Sequence, residues 1–321
     1  MKQLVVNKED LKHNINRIKD YTKKISNDDN YTIIAVVKGN GYGLGLKEYS
    51  EVLVENGIKY LAVATFEEAI ELRKKQKDVN ILMMSPLYNK QELEETVKNN
   101  ITIAIDSKEN AEAVNELAHK GYNIKVHLKI DTGFGRYGFI YDDYENILNT
   151  AKSLKPNVEI EGIFTHCSDA YRKNNKHTLE QFKRFTDVIE KLEANNIKIN
   201  LKHICNSPAI LNYPEMHLTA ARIGSAFVGR VCSENNIGLT KLHYYDSKKI
   251  GELEINIAEV KDIPKGFNIS YLNSYKTKDK TRIAIIPIGY LEGYNVTQKT
   301  DMFRIADKLR RALHELKSIF K

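Results

Sequence analysis

The sequence predicts an α/β fold: a (β/α)8 barrel of the TIM type, followed by a mostly-β C-terminal domain. Three observations carry this expectation. Apolar, β-type runs alternate with helical runs from about residue 31 to about residue 225, the pattern of a parallel barrel. No Gly-x-Gly-x-x-Gly follows the first of these strands, which disfavours the rival doubly wound open sheet. Beyond about residue 235 the apolar residues alternate or run together without helical spacing. The 321 residues suit one large and one smaller domain, drawn at 1–235 and 236–321.

The predicted strands are 31–37, 59–64, 80–85, 101–105, 124–130, 158–164, 200–204 and a short piece at 221–224. Helical patterns lie between them at 66–76, 89–99, 107–119, 143–153 and 178–195. The first strand, Thr32-Ile33-Ile34-Ala35-Val36-Val37, ends in Lys38 and runs into Gly39-Asn40-Gly41-Tyr42-Gly43-Leu44-Gly45. An amine at the end of a buried strand is expected to be partly desolvated, which favours its neutral, nucleophilic form. Lys38 is therefore either a candidate Schiff-base lysine or a lysine that merely ends a strand. In the fifth strand Lys125, His127, Lys129 and Asp131 share one face, and Val126, Leu128 and Ile130 the other. With the apolar face against the helices, the polar face points into the barrel, which is costly unless its groups are paired. Arg136, in the glycine-rich continuation Thr132 to Phe139, is either a grip for a carboxylate or a loop-surface arginine.

The sixth strand ends in Thr165-His166-Cys167. His166 could tune another side chain or be structural; Cys167 reads as a small packed residue. Two further strand ends, His203-Ile204-Cys205-Asn206-Ser207-Pro208-Ala209 and Ala221-Arg222-Ile223-Gly224-Ser225, offer hydroxyls and backbone N–H groups to an anion. In the second domain, 250–262 and 281–290 read as strands, with a turn at Asp262-Ile263-Pro264-Lys265-Gly266. Residues 301–320 return to a helical, Lys/Arg-rich pattern.

Bulk composition narrows the function classes. The net charge of +7 is spread over helical segments that also carry acids, a solvated surface more than a nucleic-acid patch. Cys167, Cys205 and Cys232 are odd in number, widely spaced and form no Cys-x-x-Cys. That speaks against a disulfide framework and against zinc, and for a reducing compartment. No secretory signal opens the chain and no apolar stretch is long enough to span a bilayer, so the expected location is the cytoplasm, with neither nucleic acid nor membrane as partner.

Taken together, Val37-Lys38-Gly39-Asn40-Gly41-Tyr42-Gly43, Lys129 through Arg136, Thr165-His166, Asn206-Ser207, Arg222-Ile223-Gly224, Ile269-Ser270-Tyr271 and Ile286-Pro287-Ile288-Gly289-Tyr290 resemble the alanine racemase family. The resemblance implies a barrel that binds pyridoxal 5'-phosphate, a β domain, and a head-to-tail homodimer. It makes Lys38 the cofactor-bearing lysine and one catalytic base, and Tyr271 the second base, reaching the partner's site. It gives the phosphate to Tyr42, Ser207, Gly224 and Ser225, and places Arg222 opposite the pyridine nitrogen with His166 bonded toward it. Arg136 orients substrate, Tyr290 lines its way in, and Lys129 matches a lysine that is often carbamylated. The implied activity is interconversion of L- and D-alanine for peptidoglycan synthesis. Serine is the competing substrate. A non-catalytic carrier of the cofactor and a decarboxylase are the other readings; the second domain weighs against the first, the Lys129–Arg136 motif against the second.

Chemistry supports the same assignment. Racemisation removes the Cα proton on one face and returns it on the other, so it needs two bases. An arginine stays protonated, which leaves the ring nitrogen it faces unprotonated and limits a long-lived carbanion. The chain departs from the family pattern at Gly39 and Gly41 (usually alanine), at Leu44 (usually histidine) and at Leu291-Glu292-Gly293 (usually Ala-Asp-Gly). Further pocket residues of the family's β domain find no match, so a shortened second domain or a fragment is expected.

Overall fold

The computed structural model describes residues 1–172, 175–230, 246–294 and 312–313. Packing divides the chain into Val6–Gly251 and a smaller unit of Met1–Val5 with Glu252 onward. The first strand, β1 (Lys2–Val6), therefore belongs largely to the smaller unit.

In the larger unit Asn7 caps α1 (Lys8–Ser26), its side chain accepting from the Glu9 and Asp10 N–H groups. Nine strands follow among the helices, eight of them in the barrel ladder: β2 (Thr32–Val36), α2 (Lys38–Tyr42), α3 (Leu46–Glu55), β3 (Tyr60–Val63), α4 (Phe66–Lys75), β4 (Asn80–Met83), α5 (Lys90–Lys98), β5 (Thr102–Ile105), α6 (Lys108–His119), β6 (Ile124–Asp131), the short β7 (Phe139–Ile140) beside it, α7 (Tyr144–Ser153), β8 (Val158–Phe164), α8 (Lys176–Ala194), β9 (Leu201–His203), α9 (Ser207–Asn212) and β10 (Ala220–Ile223). The ladder runs β10-β2-β3-β4-β5-β6-β8-β9, parallel throughout. Single bonds link its two ends: Thr219 N–H donates to Lys202 O at 3.3 Å and Arg222 N–H to Cys205 O at 2.9 Å.

The eight predicted strands are present, with ends shifted by a residue or two. Those of β3 and β5 are buried along their whole length, which is why they read as continuous apolar runs. Ile34, Val36, Tyr60, Ala62, Leu82 and Ala220 form an inner cluster, and the opposite faces join the helices in the main core. Helices α1 and α3 were not among the predicted patterns. In α1 the buried apolar stripe is only Leu11, Ile15 and Ile18 in a lysine-rich segment, too narrow to stand out.

The smaller unit pairs β1 with β11 (Gly251–Ile255). The expected strand over 250–262 is broken: Asn256 N–H still bonds Met1 O, but Ala258 N–H bonds Ile285 O. The chain changes partner there and starts β12 (Glu259–Ile263). A short antiparallel pair, β13 (Asn268–Ile269) and β14 (Tyr275–Lys276), follows, and β15 (Thr281–Ile285) lies antiparallel to β12. The run expected to reach 290 ends at Ile285, shortly before Pro287, which has no N–H for a ladder. The helical pattern of 301–320, except 312–313, and Cys232 lie outside the described residues. Among the described residues no helix is long and apolar enough to cross a membrane.

Asn14 ties the back of the barrel together. It is fully buried, donates to Phe227 O at 2.9 Å and Lys248 O at 2.8 Å, and accepts from Lys248 N–H at 2.7 Å. Replacing it by alanine removes the side-chain partner of three backbone groups, that of Phe227 in the buried interior. Asn14→Ala should cost about 2–4 kcal/mol, read as a lowered urea midpoint at unchanged slope.

Candidate active site

The carboxyl ends of the barrel strands surround a cavity of about 340 Å³. Nine residues singled out in the sequence line it: Lys38, Tyr42, Lys129, Arg136, His166, Ser207, Arg222, Gly224 and Ser225.

Lys38 opens α2, which is a turn of left-handed helix. Gly39, Asn40, Gly41 and Tyr42 have φ of 67°, 52°, 64° and 59°, and bonds of 2.9 Å from Gly41 N–H to Val37 O and from Gly43 N–H to Gly39 O close the turn. An L-residue with a side chain pays about 1–2 kcal/mol for this conformation, so glycine at 39 and 41 removes the strain at two positions. Glu68 holds the turn by accepting from Asn40 N–H at 2.9 Å. Asn40 Oδ1 accepts from Leu46 N–H at 2.8 Å. The Lys38 side chain is exposed, not desolvated as expected, because the strand ends at Val36 and the turn carries Lys38 out to the rim.

The same turn carries Tyr42 to the end of β10. Its hydroxyl fills the space over Gly224, where a Cβ would lie 2.1 Å from it, so only glycine fits. Burial pushes the Tyr42 hydroxyl up to about 12, which keeps it a donor at neutral pH. Ser207 Oγ accepts from the N–H groups of Gly224 and Ala226 at 3.1 and 3.2 Å, joining the start of α9 to the end of β10.

Arg222 is only 4% exposed. Its guanidinium donates to His203 O at 2.8 Å, Thr165 O at 2.5 Å, His203 Nδ1 at 2.8 Å and His166 Nδ1 at 3.3 Å, and lies over the Phe164 ring at 5.1 Å. Burial lowers it to about 10, so it remains a cation at neutral pH. His166 is pushed down to about 3 by burial, then by the charges of Arg222, Arg136, Lys38 and Lys129. It is a neutral imidazole, able to accept at Nδ1.

Asp131 builds the loop that carries Arg136. Its carboxylate accepts from the N–H groups of Gly133, Phe134, Gly135 and Arg136 at 2.8–3.2 Å. Burial pushes this carboxyl up, but the four amides outweigh it and hold it below its usual range. Arg136 is exposed, stacks on Phe134 at 4.4 Å and takes part in no ion pair among the described residues. Phe134 in turn meets His166 edge-on at 5.0 Å. Lys129 donates to Met84 O at 3.2 Å and lies over the rings of Tyr137 and Phe164 at 5.0 and 5.3 Å. Burial, then the charges of Arg136 and Arg222, lower it to about 8.

Phe164 and Tyr137 line the cavity but were not singled out in the sequence. For Phe164 a signal existed: in β8 it precedes His166 by two residues, the spacing that puts both on one face. Tyr271 and Tyr290 belong to the smaller unit, where they are 94% and 83% exposed. The cavity thus gathers the Lys38 amine, the hydroxyls of Tyr42, Ser207 and Ser225 among others, a glycine cradle and several cations, a set suited to a phosphorylated ligand and a carboxylate.

A family model for the alanine racemase N-terminal domain matches residues 6–231, and one for the alanine racemase C-terminal domain matches 250–312. An alanine racemase of Methanococcus maripaludis is 36% identical over 88% of this chain and 74% of its own length. The solved alanine racemase of Clostridium difficile 630 superposes with a TM-score of 0.81 at 31% identity, over 93% of this chain and 76% of that one. An alanine racemase from Bacillus anthracis with bound L-Ala-P gives 0.79 at 26% identity, over 91% and 74%. Matched on both sides of its division and along most of its length, the chain belongs to the alanine racemase family.

Proposed function

We propose that this chain is an alanine racemase that interconverts L- and D-alanine with pyridoxal 5'-phosphate and two bases, Lys38 and Tyr271, and whose D-alanine serves peptidoglycan synthesis. The observation that carries this reading is the convergence of Lys38, Arg222 and the Tyr42–Ser207–Gly224 cradle on one cavity. The residues fit the cofactor. Tyr42, Ser207, Gly224 and Ser225 suit its phosphate, Arg222 its ring nitrogen and Lys38 its aldehyde, and the space over Gly224 is one that a Cβ would fill.

When bound, the cofactor supplies an electron sink that acidifies the Cα–H of an amino acid. The protein supplies orientation and proton traffic. Lys38 Nζ removes or returns the proton on one face of Cα. The Tyr271 hydroxyl, exposed on its own unit, serves the other face from a second copy of the chain in a homodimer. Arg222 only donates hydrogen bonds, so it does not take up charge as the substrate reacts. His166 accepts from Arg222 at Nδ1 and keeps its Nε2–H for the oxygen of Tyr271. Arg136, free of carboxylate partners among the described residues, grips the substrate carboxylate, and Tyr290 lines the way in. Carbamylation of Lys129 turns a cation into an anion that steadies Arg136.

Incubation of L-alanine with the protein and added cofactor should yield D-alanine on a chiral column, faster than L-serine yields D-serine. Absence of D-alanine rejects the reading. Lys38→Ala should lose borohydride-stable attachment of the cofactor, which in the parent maps to the Lys38 peptide. Tyr271→Phe should keep that attachment and lose roughly 10²–10⁴-fold in turnover; normal rates in both directions would remove Tyr271 from the mechanism.

Lys129 allows a test of its modification. Its ammonium loses a proton as pH rises through about 8, and the neutral amine is the form that adds carbon dioxide. With ¹³C-bicarbonate at pH 8.5 a carbamate resonance should appear, be absent from Lys129→Ala, and weaken towards pH 6.5.

A further inference from the structure

Behind Arg222 a line of polar side chains crosses the barrel. His203 Nδ1 lies 2.8 Å from Arg222 Nη1, His203 Nε2 lies 2.9 Å from His127 Nδ1, and His127 Nε2 lies 3.1 Å from Glu161 Oε2. Both imidazoles are fully buried. Arg222 faces the active-site cavity, whereas Glu161 lines a separate cavity among the amino-terminal ends of the strands. The remaining contacts of Glu161 are Lys125, which donates to Oε1 at 2.8 Å, Tyr60, which donates to Oε2 at 2.5 Å, and Thr102 at 3.4 Å.

The direction of every bond in this line is fixed by its ends. A guanidinium has donors only, so His203 Nδ1 must accept. A neutral imidazole that accepts at Nδ1 carries its proton on Nε2, and that proton can go only to His127 Nδ1. His127 then carries its proton on Nε2 as well and gives it to Glu161, which as a carboxylate only accepts. The protonation states agree with this. Burial pushes both histidines down. Burial alone would raise Glu161, but the bonds from His127, Lys125 and Tyr60 outweigh it and bring it to about 2.

The packing is shaped around the relay. A Cβ at Gly162 would lie 2.7 Å from His127 Cε1 and 2.8 Å from Leu201 O. Phe164 stacks on His203 with planes 6° apart.

We propose that Glu161 is a positioning residue for Arg222: through His127 and His203 it fixes the tautomers that let Arg222 donate backwards into the barrel, and so holds the guanidinium on its aim into the active site. The relay stands on this geometry alone; its effect on turnover rests on the racemase reading. Glu161→Gln keeps the volume but adds a donor. A glutamine N–H can face His127 Nε2, allow both rings to change tautomer, and set a His203 Nδ1–H against the Arg222 N–H groups.

The experiment is ¹⁵N NMR of histidine-labelled protein without cofactor, assigned by His127→Gln and His203→Gln. In the parent chain both rings should show the neutral Nε2–H form. An imidazolium, or an Nδ1–H form at either ring, overturns the proposal without any need of a variant that folds. Glu161→Gln should move His127 and His203 towards the other tautomer. Lys125→Met, which removes only the Oε1 ion pair, should leave them in place and serves as the control for a general loss of structure. In the loaded enzyme Glu161→Gln should lower kcat by roughly 10–100-fold, the range for removing an outer partner of a site group, with KM within about twofold. Unchanged tautomers together with unchanged kcat sink the relay. If the parent chain makes no D-alanine, the racemase reading fails, and the tautomers still decide the relay by themselves.

Discussion

Arg222 places a cation where almost none of it meets water. An unpaired ion in that position costs several kcal/mol, and among the described residues no carboxylate lies against it; the groups that receive its protons are carbonyls and neutral imidazoles. This requirement explains how β8 and β9 end. β8 stops at Phe164, which frees the Thr165 carbonyl for Arg222. β9 stops at His203, whose carbonyl accepts both from Arg222 and, at 3.4 Å, from Thr165 N–H. Two strands thus end at the level where the guanidinium needs acceptors, and the backbone there forms part of the rim of the cavity.

The rest of the barrel interior divides to match. Barrels of this type are filled by layers of branched apolar side chains, and β2, β3, β4 and β10 contribute such a cluster. β6, β8 and β9 instead present Lys129, His127, Glu161 and His203, all buried. A polar half-interior is tolerable only when every group is paired, since a single missing partner leaves a buried donor or acceptor unsatisfied. The alternation of β6, apolar outward and ionisable inward, is therefore under two constraints at once: a slip by one residue would turn Val126, Leu128 and Ile130 into the barrel interior and Lys129 away from the cavity, towards the helices.

That alternation is also why so much of the site could be read from the chain. Local patterns reported it well: the strands of the barrel, the Lys38 turn, the Asp131-to-Arg136 loop and the Arg222–Ser225 strand end are each contiguous segments. What escaped depends on contacts between distant segments. Nothing local marks Glu161 as the neighbour of His127, or Phe164 as the ring that packs against both Arg222 and His203. The exposure of Lys38 escaped because a strand-end rule does not foresee a left-handed turn. The break at 256–258 escaped because its two competing partners, Met1 and Ile285, lie in separate segments, one of them far away in the sequence. Tyr271 illustrates the opposite case: its motif is local, but its proposed role lies in a second copy of the chain.

The left-handed turn shows how such a segment can vary without losing its purpose. Compared with alanine at the same positions, Gly39 and Gly41 avoid about 1–2 kcal/mol of strain each, yet glycine also loses more entropy on folding, by roughly 0.5–1 kcal/mol. The second term offsets about half of the first, so glycine keeps a modest net advantage. The two positions are not equivalent in space: at Gly39 a Cβ would meet nothing within 4 Å, whereas at Gly41 it would press on buried Tyr49 at 3.2 Å. Tyr42 has no such freedom. It holds φ of 59° with a full side chain because its hydroxyl must arrive over Gly224. The strain is thus kept at Tyr42, whose position the cavity needs, and at Asn40, whose side chain accepts from Leu46 N–H, and relieved at the two glycines.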